Sequence, residues 1–274
     1  MVELKAGDNE IKFFNPYGSR MDAAASQYTK MGEELKKATK AYAEQTGTEE
    51  KPICYSICEW GLNMPWRWGK QAGNLWRTTM DIQATWPSIV SIYEQNVRLA
   101  KYAGKGGWND PDMLEVGNGA LTADENKAHF TLWCMMAAPL ILGNDIRNFL
   151  DENGNVKEDN EVLKILTNKD LIAIDQDELG VQCYRHKTNI KVDVLVKPLS
   201  GGEIAVCFFN KFGEESAESI NINDLLDKAY CNLRRADEYK CRELWSGEEF
   251  EIQDTLSVTL APHSVKIYRI KADD

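Results

Sequence analysis

The sequence predicts an α/β region followed by an all-β one: helices alternating with parallel strands over 1–178, then an antiparallel β-sandwich over 179–274. Three observations predict the division. Four short apolar runs (52–59, 75–79, one opening at Gly107-Trp108, and 138–142) are separated by stretches of helical period, the pattern of βα units. Beyond about residue 181 the period drops to two, as in Val192, Val194 and Val196. Seven of the eight tryptophans lie between residues 60 and 133, so the two parts also differ in composition.

Each element has its own justification. Met21, Ala24, Tyr28, Met31, Leu35, Ala38 and Tyr42 step by three or four, one face of a long helix, with Glu33 and Lys37 paired on the other. The runs 52–59 and 138–142 are short and apolar enough for buried strands. Trp86-Pro87 opens a helix with Ile89, Ile92, Tyr93, Val97 and Ala100 on one face, closed by Gly104. Thr122 and Glu125 have capping-box spacing ahead of a helix over 123–136. Short helical stretches follow near 145–150 and 160–166. In the second part, Leu256, Val258 and Leu260 alternate, and Gly201-Gly202 and Ala261-Pro-His263 supply turns. Four βα units are too few for a complete eight-unit barrel of ~250 residues.

Composition excludes several classes. A net charge of −11 and pI near 4.9, without Lys/Arg clusters, argue against nucleic acid and against anionic membrane surfaces. No apolar run approaches the ~20 residues that span a bilayer. The charged start Met1-Val-Glu-Leu-Lys5 lacks the apolar stretch of a signal peptide, which makes a cytoplasmic location the expectation. Seven cysteines, an odd number without a CxxC, read as reduced thiols. His129, His186 and His263 lack ligand spacing, so neither a metal nor a cofactor is expected.

In parallel βα architectures chemistry sits at the carboxyl ends of the strands. Here the four runs end in Cys58-Glu59-Trp60, Arg77-Thr-Thr-Met-Asp81, Trp108-Asn-Asp-Pro-Asp-Met113 and Gly143-Asn-Asp145. Taken singly, Asp81 reads as a turn residue or the ion-pair partner of Arg77, four positions away, and the tryptophans as core. Together they place carboxylates, an arginine and indoles on one rim. Carboxylates accept from sugar hydroxyls, indoles stack on the C–H faces of sugars, and a carboxylic acid can protonate a glycosidic oxygen. The residues alone reach a carbohydrate-active α/β enzyme.

Longer stretches carry a resemblance. Tyr55-Ser-Ile-Cys-Glu-Trp-Gly61, Gly73-Asn-Leu-Trp-Arg-Thr-Thr-Met-Asp-Ile82, Gly106-Gly-Trp-Asn-Asp-Pro-Asp-Met-Leu-Glu-Val-Gly-Asn118 and Ala137-Ala-Pro-Leu-Ile-Leu-Gly-Asn-Asp-Ile146 resemble the α-galactosidases (melibiases) of glycoside hydrolase family 27. The resemblance implies a (β/α)8 barrel with a C-terminal β-domain, and retaining hydrolysis of terminal α-galactosides. It implies Asp81 as acid/base, Arg77, Asp112 and Met113 as sugar contacts, and Cys58, Glu59 and Trp60 lining the pocket. Glu59 and Leu62 resemble the galactose-type choice at the sugar 2-position. The family's nucleophile, an aspartate in a Lys-x-Asp-x-Cys stretch on the fourth strand, has no counterpart in these 274 residues. The chain therefore resembles the second half of the barrel (strands 5–8) plus the β-domain, inactive alone. A complementing N-terminal half-barrel chain or self-association would complete it. Other readings are α-N-acetylgalactosaminidase, β-L-arabinopyranosidase, a non-catalytic galactose-binding protein, and a degenerate product with no stable fold.

Overall fold

The computed structural model describes residues 16–273. Helix α1 (Pro16–Thr46) fills the span expected of the long amphipathic helix. Its apolar stripe is only partly used: Ala24 and Tyr28 pack against the cluster of Ile57, Trp68, Ala72 and Trp76, whereas Met31 and Tyr42 face outward. On the polar side Lys37 pairs with Glu34 at 2.8 Å, not with the expected Glu33. Positions three apart serve as well as four.

Strands β1 (Ser56–Ile57), β2 (Leu75–Arg77) and β3 (Trp108–Asp110) form a parallel sheet in the order β1-β2-β3, with helices between them. The four-residue helix α2 (Gly69–Ala72) precedes β2. Helix α3 (Trp86–Asn96) continues as a 3-10 stretch to Tyr102 and buries the predicted Ile89, Ile92, Tyr93, Val97 and Ala100. Pairing sets Trp76 beside Asn109 and Arg77 beside Asp110. Helix α4 (Ala123–Met135) starts at the predicted capping box: Glu125 N–H donates to Thr122 Oγ1, and Thr122 N–H donates to Glu125 Oε2. Helices α5 (Glu161–Leu166) and α6 (Lys169–Asp175) close this part, each with an asparagine N-cap.

The two flanking runs depart from the expectation of buried strands. Residues 52–59 yield only two strand residues, with Ile53 half exposed and Cys54 and Cys58 at the surface. Residues 138–142 contribute one parallel bridge, Leu114–Leu142, and leave Ile141 and Leu142 51 % and 43 % exposed. A strand is buried when neighbours cover both its faces and both its edges, and among the described residues neither flank has a strand beyond it.

The C-terminal part is a sandwich. Strands β4 (Tyr184–Thr188), β5 (Val192–Leu199), β6 (Glu203–Asn210), β8 (Tyr239–Glu243), β9 (Glu249–Ile252) and β11 (Val265–Ala272) form a six-stranded antiparallel sheet in the order β4-β5-β6-β11-β8-β9. Strands β7 (Ser216–Asn221) and β10 (Thr255–Leu260), with the one-turn helix α7 (Asn223–Leu226) after β7, cover one face of it. Val194, Val196, Val206 and Phe208 pack toward β7 and β10; Leu195, Cys207 and Phe209 pack toward α3 and α4. Both faces of β5 are therefore buried, more than simple alternation predicts.

The face of β5 turned to the βα part carries two charges inside the junction. Asp193 accepts from Tyr93 Oη at 2.7 Å and from Lys211 Nζ at 2.9 Å. Lys197 Nζ donates to the Cys134 carbonyl at the end of α4, 3.1 Å away. Buried charges need partners of this kind, and these tie the sandwich to the helices behind the strand ends.

Candidate functional site at the strand ends

The carboxyl ends of β2 and β3 meet around one guanidinium. Arg77, last residue of β2, directs Nη2 at Asp112 Oδ2 (2.8 Å), Asp81 Oδ1 (3.0 Å) and the Thr79 carbonyl (3.3 Å). Arg77 and Asp112 side chains are 10 % and 7 % exposed, whereas that of Asp81 is 69 % exposed. The three residues are thus unequal: a buried ion pair forms a floor, and Asp81 reaches from it toward solvent.

Asp112 is over-determined. Its Oδ2 also accepts from the Ile82 amide at 2.8 Å, its Oδ1 from the Met113 amide at 2.9 Å, and its carbonyl from Trp133 Nε1 at 2.7 Å. Trp133, on α4, stacks edge-on against His129, whose Nε2 accepts the Glu115 amide. Burial pushes the His129 imidazole down to about 3, so it stays neutral and can accept. The helix behind the sheet therefore fixes the loop after β3 at two points, Asp112 and Glu115.

The loop carrying Asp81 is gripped from the other side. Trp86, at the start of α3, stacks on His263 of the sandwich with ring centroids 4.7 Å apart and meets Phe209 edge-on. His263 Nδ1 lies 2.8 Å from Glu125 Oε1, the carboxylate that caps α4. One chain of contacts thus runs from the sandwich to the helix caps flanking the rim.

Cys58, Glu59, Trp60 and Leu62 line the adjoining end of β1. The Trp60–Gly61 turn sits on the end of β2: a Cβ at Gly61, where φ is +77°, would lie 2.2 Å from the Thr78 carbonyl. That approach requires glycine. Glu59 accepts from Asn63 Nδ2, and the Cys58 carbonyl accepts from Tyr28 of α1. Trp60 and Leu62 project outward, 41 % and 72 % exposed. Met113 lies beside Gly143, where a Cβ would be 2.8 Å from its sulfur. The eight predicted residues therefore occupy one rim, with Arg77, Asp81 and Asp112 directly bonded and the other five beside or across from them.

Two features escaped sequence reading. Asp145, expected on the rim, turns to its own Arg147 (2.5 Å) and caps a 3-10 turn; the Arg147 hydrogen bonds hold its carboxyl down at about 2. Asp110, within the Asn-Asp-Pro-Asp run but not singled out, is buried beneath Asp112. No group of three or more His, Cys, Asp or Glu suited to a metal occurs among the described residues. None of the described helices is long and apolar enough to cross a membrane.

The parallel strands thus end in an Arg–carboxylate floor with an exposed carboxylate above it, joined to a β-sandwich. Known proteins give the family. Residues 4–177 match the family model described as alpha galactosidase A, and residues 189–270 match that of the alpha galactosidase C-terminal beta sandwich domain. The chain is 35 % identical to an α-galactosidase of Oryza sativa subsp. japonica over 92 % of its length and 55 % of the relative's. It is 43 % identical to α-galactosidase 3 of Arabidopsis thaliana over 64 % of its length and 42 % of the relative's. A Bacteroides fragilis crystal structure described as an α-galactosidase/melibiase superposes with a TM-score of 0.76 at 35 % identity, covering 92 % of this chain and 52 % of that one. The chain belongs to the α-galactosidase family, and it spans about half the length of the relatives it matches.

Proposed function

We propose that the chain supplies one side of the active site of a retaining exo-α-galactosidase: the acid/base and part of the sugar floor. The observation that carries this reading is the Arg77 guanidinium held between Asp112 at 2.8 Å and Asp81 at 3.0 Å at the carboxyl ends of β2 and β3. In the proposed reaction Asp81 protonates the glycosidic oxygen as a second carboxylate attacks the anomeric carbon. Asp81 then deprotonates the water that releases galactose. Arg77, Asp112 and Met113 contact the sugar, and Cys58, Glu59 and Trp60 line the pocket. Glu59 and Leu62 favour a 2-hydroxyl over a 2-acetamido group. Retention needs a second carboxyl about 5–5.5 Å from the first, and among the described residues the one other carboxylate that shares a bonded partner with Asp81 is that of Asp112, held in the floor.

On this reading residues 1–178 form the second half of a (β/α)8 barrel and 179–274 its β-domain. The nucleophile arrives on four further βα units that cover both flanks of the sheet. The exposed Ile53, Ile141 and Leu142 support this, since two open flanks are what barrel closure would bury. The test is release of nitrophenol from an aryl α-galactoside by the chain alone and mixed with a polypeptide carrying the four preceding βα units of a relative. Turnover in the mixture only, abolished by Asp81→Asn, is the expected result. Turnover by the chain alone would place the nucleophile within it. No turnover from two folded parts would sink the complementation reading.

A further inference from the structure

We propose that Asp110 is a positioning residue for the sugar floor: its carboxylate fixes the turn that lays the Asp112 side chain across Arg77 and the Ile82 amide. The inference deepens the functional reading above and rests on it for its consequence, though not for its geometry.

Asp112 has a φ of +85°, in the left-handed region that residues with a Cβ occupy only at an energetic cost. Something must hold it there. Asp110 Oδ1 accepts the Asp112 amide at 2.9 Å, a carboxylate bonding the backbone two residues on, which is an Asx turn. Pro111 between them helps, since its ring fixes φ near −65° and keeps Asp110 extended. The other end of Asp110 is anchored too: its carbonyl accepts from Thr78 N–H at 2.9 Å and from Thr78 Oγ1 at 3.2 Å. Asp110 thus joins the end of β2 to the turn after β3.

Its burial fits this role. Asp110 is 4 % exposed, and burial pushes its carboxyl up to about 6, against the Asp112 amide and Arg77, which pull it down. A buried carboxylate kept for charge alone would need its own cation, and Arg77 already has Asp112 and Asp81. What Asp110 offers is an acceptor oxygen at one fixed place.

Three variants of the full chain separate geometry from charge. Asp110→Asn keeps the acceptor and loses the charge; Asp110→Glu keeps the charge and moves the oxygen by one methylene; Asp110→Ala removes both. The readout is residue-resolved hydrogen exchange at the Asp112 and Ile82 amides, with sandwich amides as the folding control. Asp110→Asn is expected to exchange within about threefold of wild type, and Asp110→Glu and Asp110→Ala at least tenfold faster at both amides. Wild-type exchange at Ile82 in Asp110→Ala, or a Glu variant that protects while the Asn variant does not, overturns the proposal. Should Asp110→Ala fail to fold, the Asn–Glu pair decides alone. In the complemented enzyme the same order should appear as a raised KM for the aryl α-galactoside. A wild-type mixture without turnover would defeat the functional reading and leave the exchange result standing.

Discussion

The centre of the parallel sheet and its flanks are built from similar residues and end in opposite conditions. Trp76 and the Arg77–Asp112 pair at the centre are almost wholly buried: Trp76 Nε1 donates to Asn109, Arg77 Nη2 meets three oxygens, and Asp112 Oδ2 takes both Arg77 and the Ile82 amide. Ile53 on one flank and Ile141 and Leu142 on the other are equally apolar or more so, and stand about half exposed. Hydrophobicity did not decide which became core. Coverage did: among the described residues β2 has a strand on each side, and the flanks have one on a single side. A site residue with its partners inside the chain is already rigid, whereas one that would be completed from elsewhere is open.

The largest effect that could break this comparison is at the central ion pair. Arg77→Ala leaves Asp112 as a buried carboxylate without its cation and should cost about 3–5 kcal/mol, read from the urea midpoint. Asp81→Asn removes an exposed partner of the same arginine and should cost under about 1 kcal/mol while abolishing turnover in the complemented enzyme. Equal losses for the two variants would mean that the floor and the exposed carboxylate are not distinct.

A smaller effect probes the grip of α4. Trp133→Phe keeps most of the buried ring and deletes the donor to the Asp112 carbonyl. An expected loss of about 1–3 kcal/mol reflects the acceptor left unpaired, and exchange at the Met113 amide should quicken with it. Unchanged exchange would show that the loop is held without Trp133.

These central features explain what the sequence did and did not reveal. Local patterns exposed α1 and α3 through their helical period, the start of α4 through its capping box, and strands β5 and β10 of the sandwich through alternation. Strand-end placement gathered Arg77, Asp81 and Asp112, because parallel topology sends every carboxyl end to one rim. Asp110 stayed hidden because its role needs a positive φ at Asp112, which no spacing announces. Asp145 misled because the competing Arg147 lies only two residues away. The flanks misled because an apolar run reports affinity for a covering layer, not the layer's presence.

The titratable interior of the centre gives a third, pH-dependent contrast. His129 has its folded value pushed to about 3 from 6.5, so the unfolded chain binds a proton that the folded state refuses, and stability falls as pH drops through that window. Burial raises Asp110 and Asp175 to about 6 from 3.8; there the folded state holds the extra proton, and stability falls as pH rises from about 4 to 6. The two contributions oppose each other between pH 4 and 6. His129→Gln should remove only the first, so the variant loses less stability on acidification, by up to about 1.4 kcal/mol per pH unit. Parallel stability profiles for the two proteins would mean that His129 is not held neutral.

The smallest expected effect on the chain alone falls at the flanks. Ile53→Lys and Leu142→Lys place charges where half the side chain already meets water, and each should move stability by no more than about 0.5 kcal/mol. Their consequence lies in assembly. If both flanks are seams of a closed barrel, each lysine would bury an unpaired ammonium beside the incoming strand. Complementation with the four preceding βα units should then weaken at least tenfold in either variant, with the melting curve of the chain itself unchanged. A variant that complements like wild type would show its flank to be free surface in the assembled enzyme. A variant that melts early would show that the flank is already part of the core, and the contrast between centre and flank would fall with it.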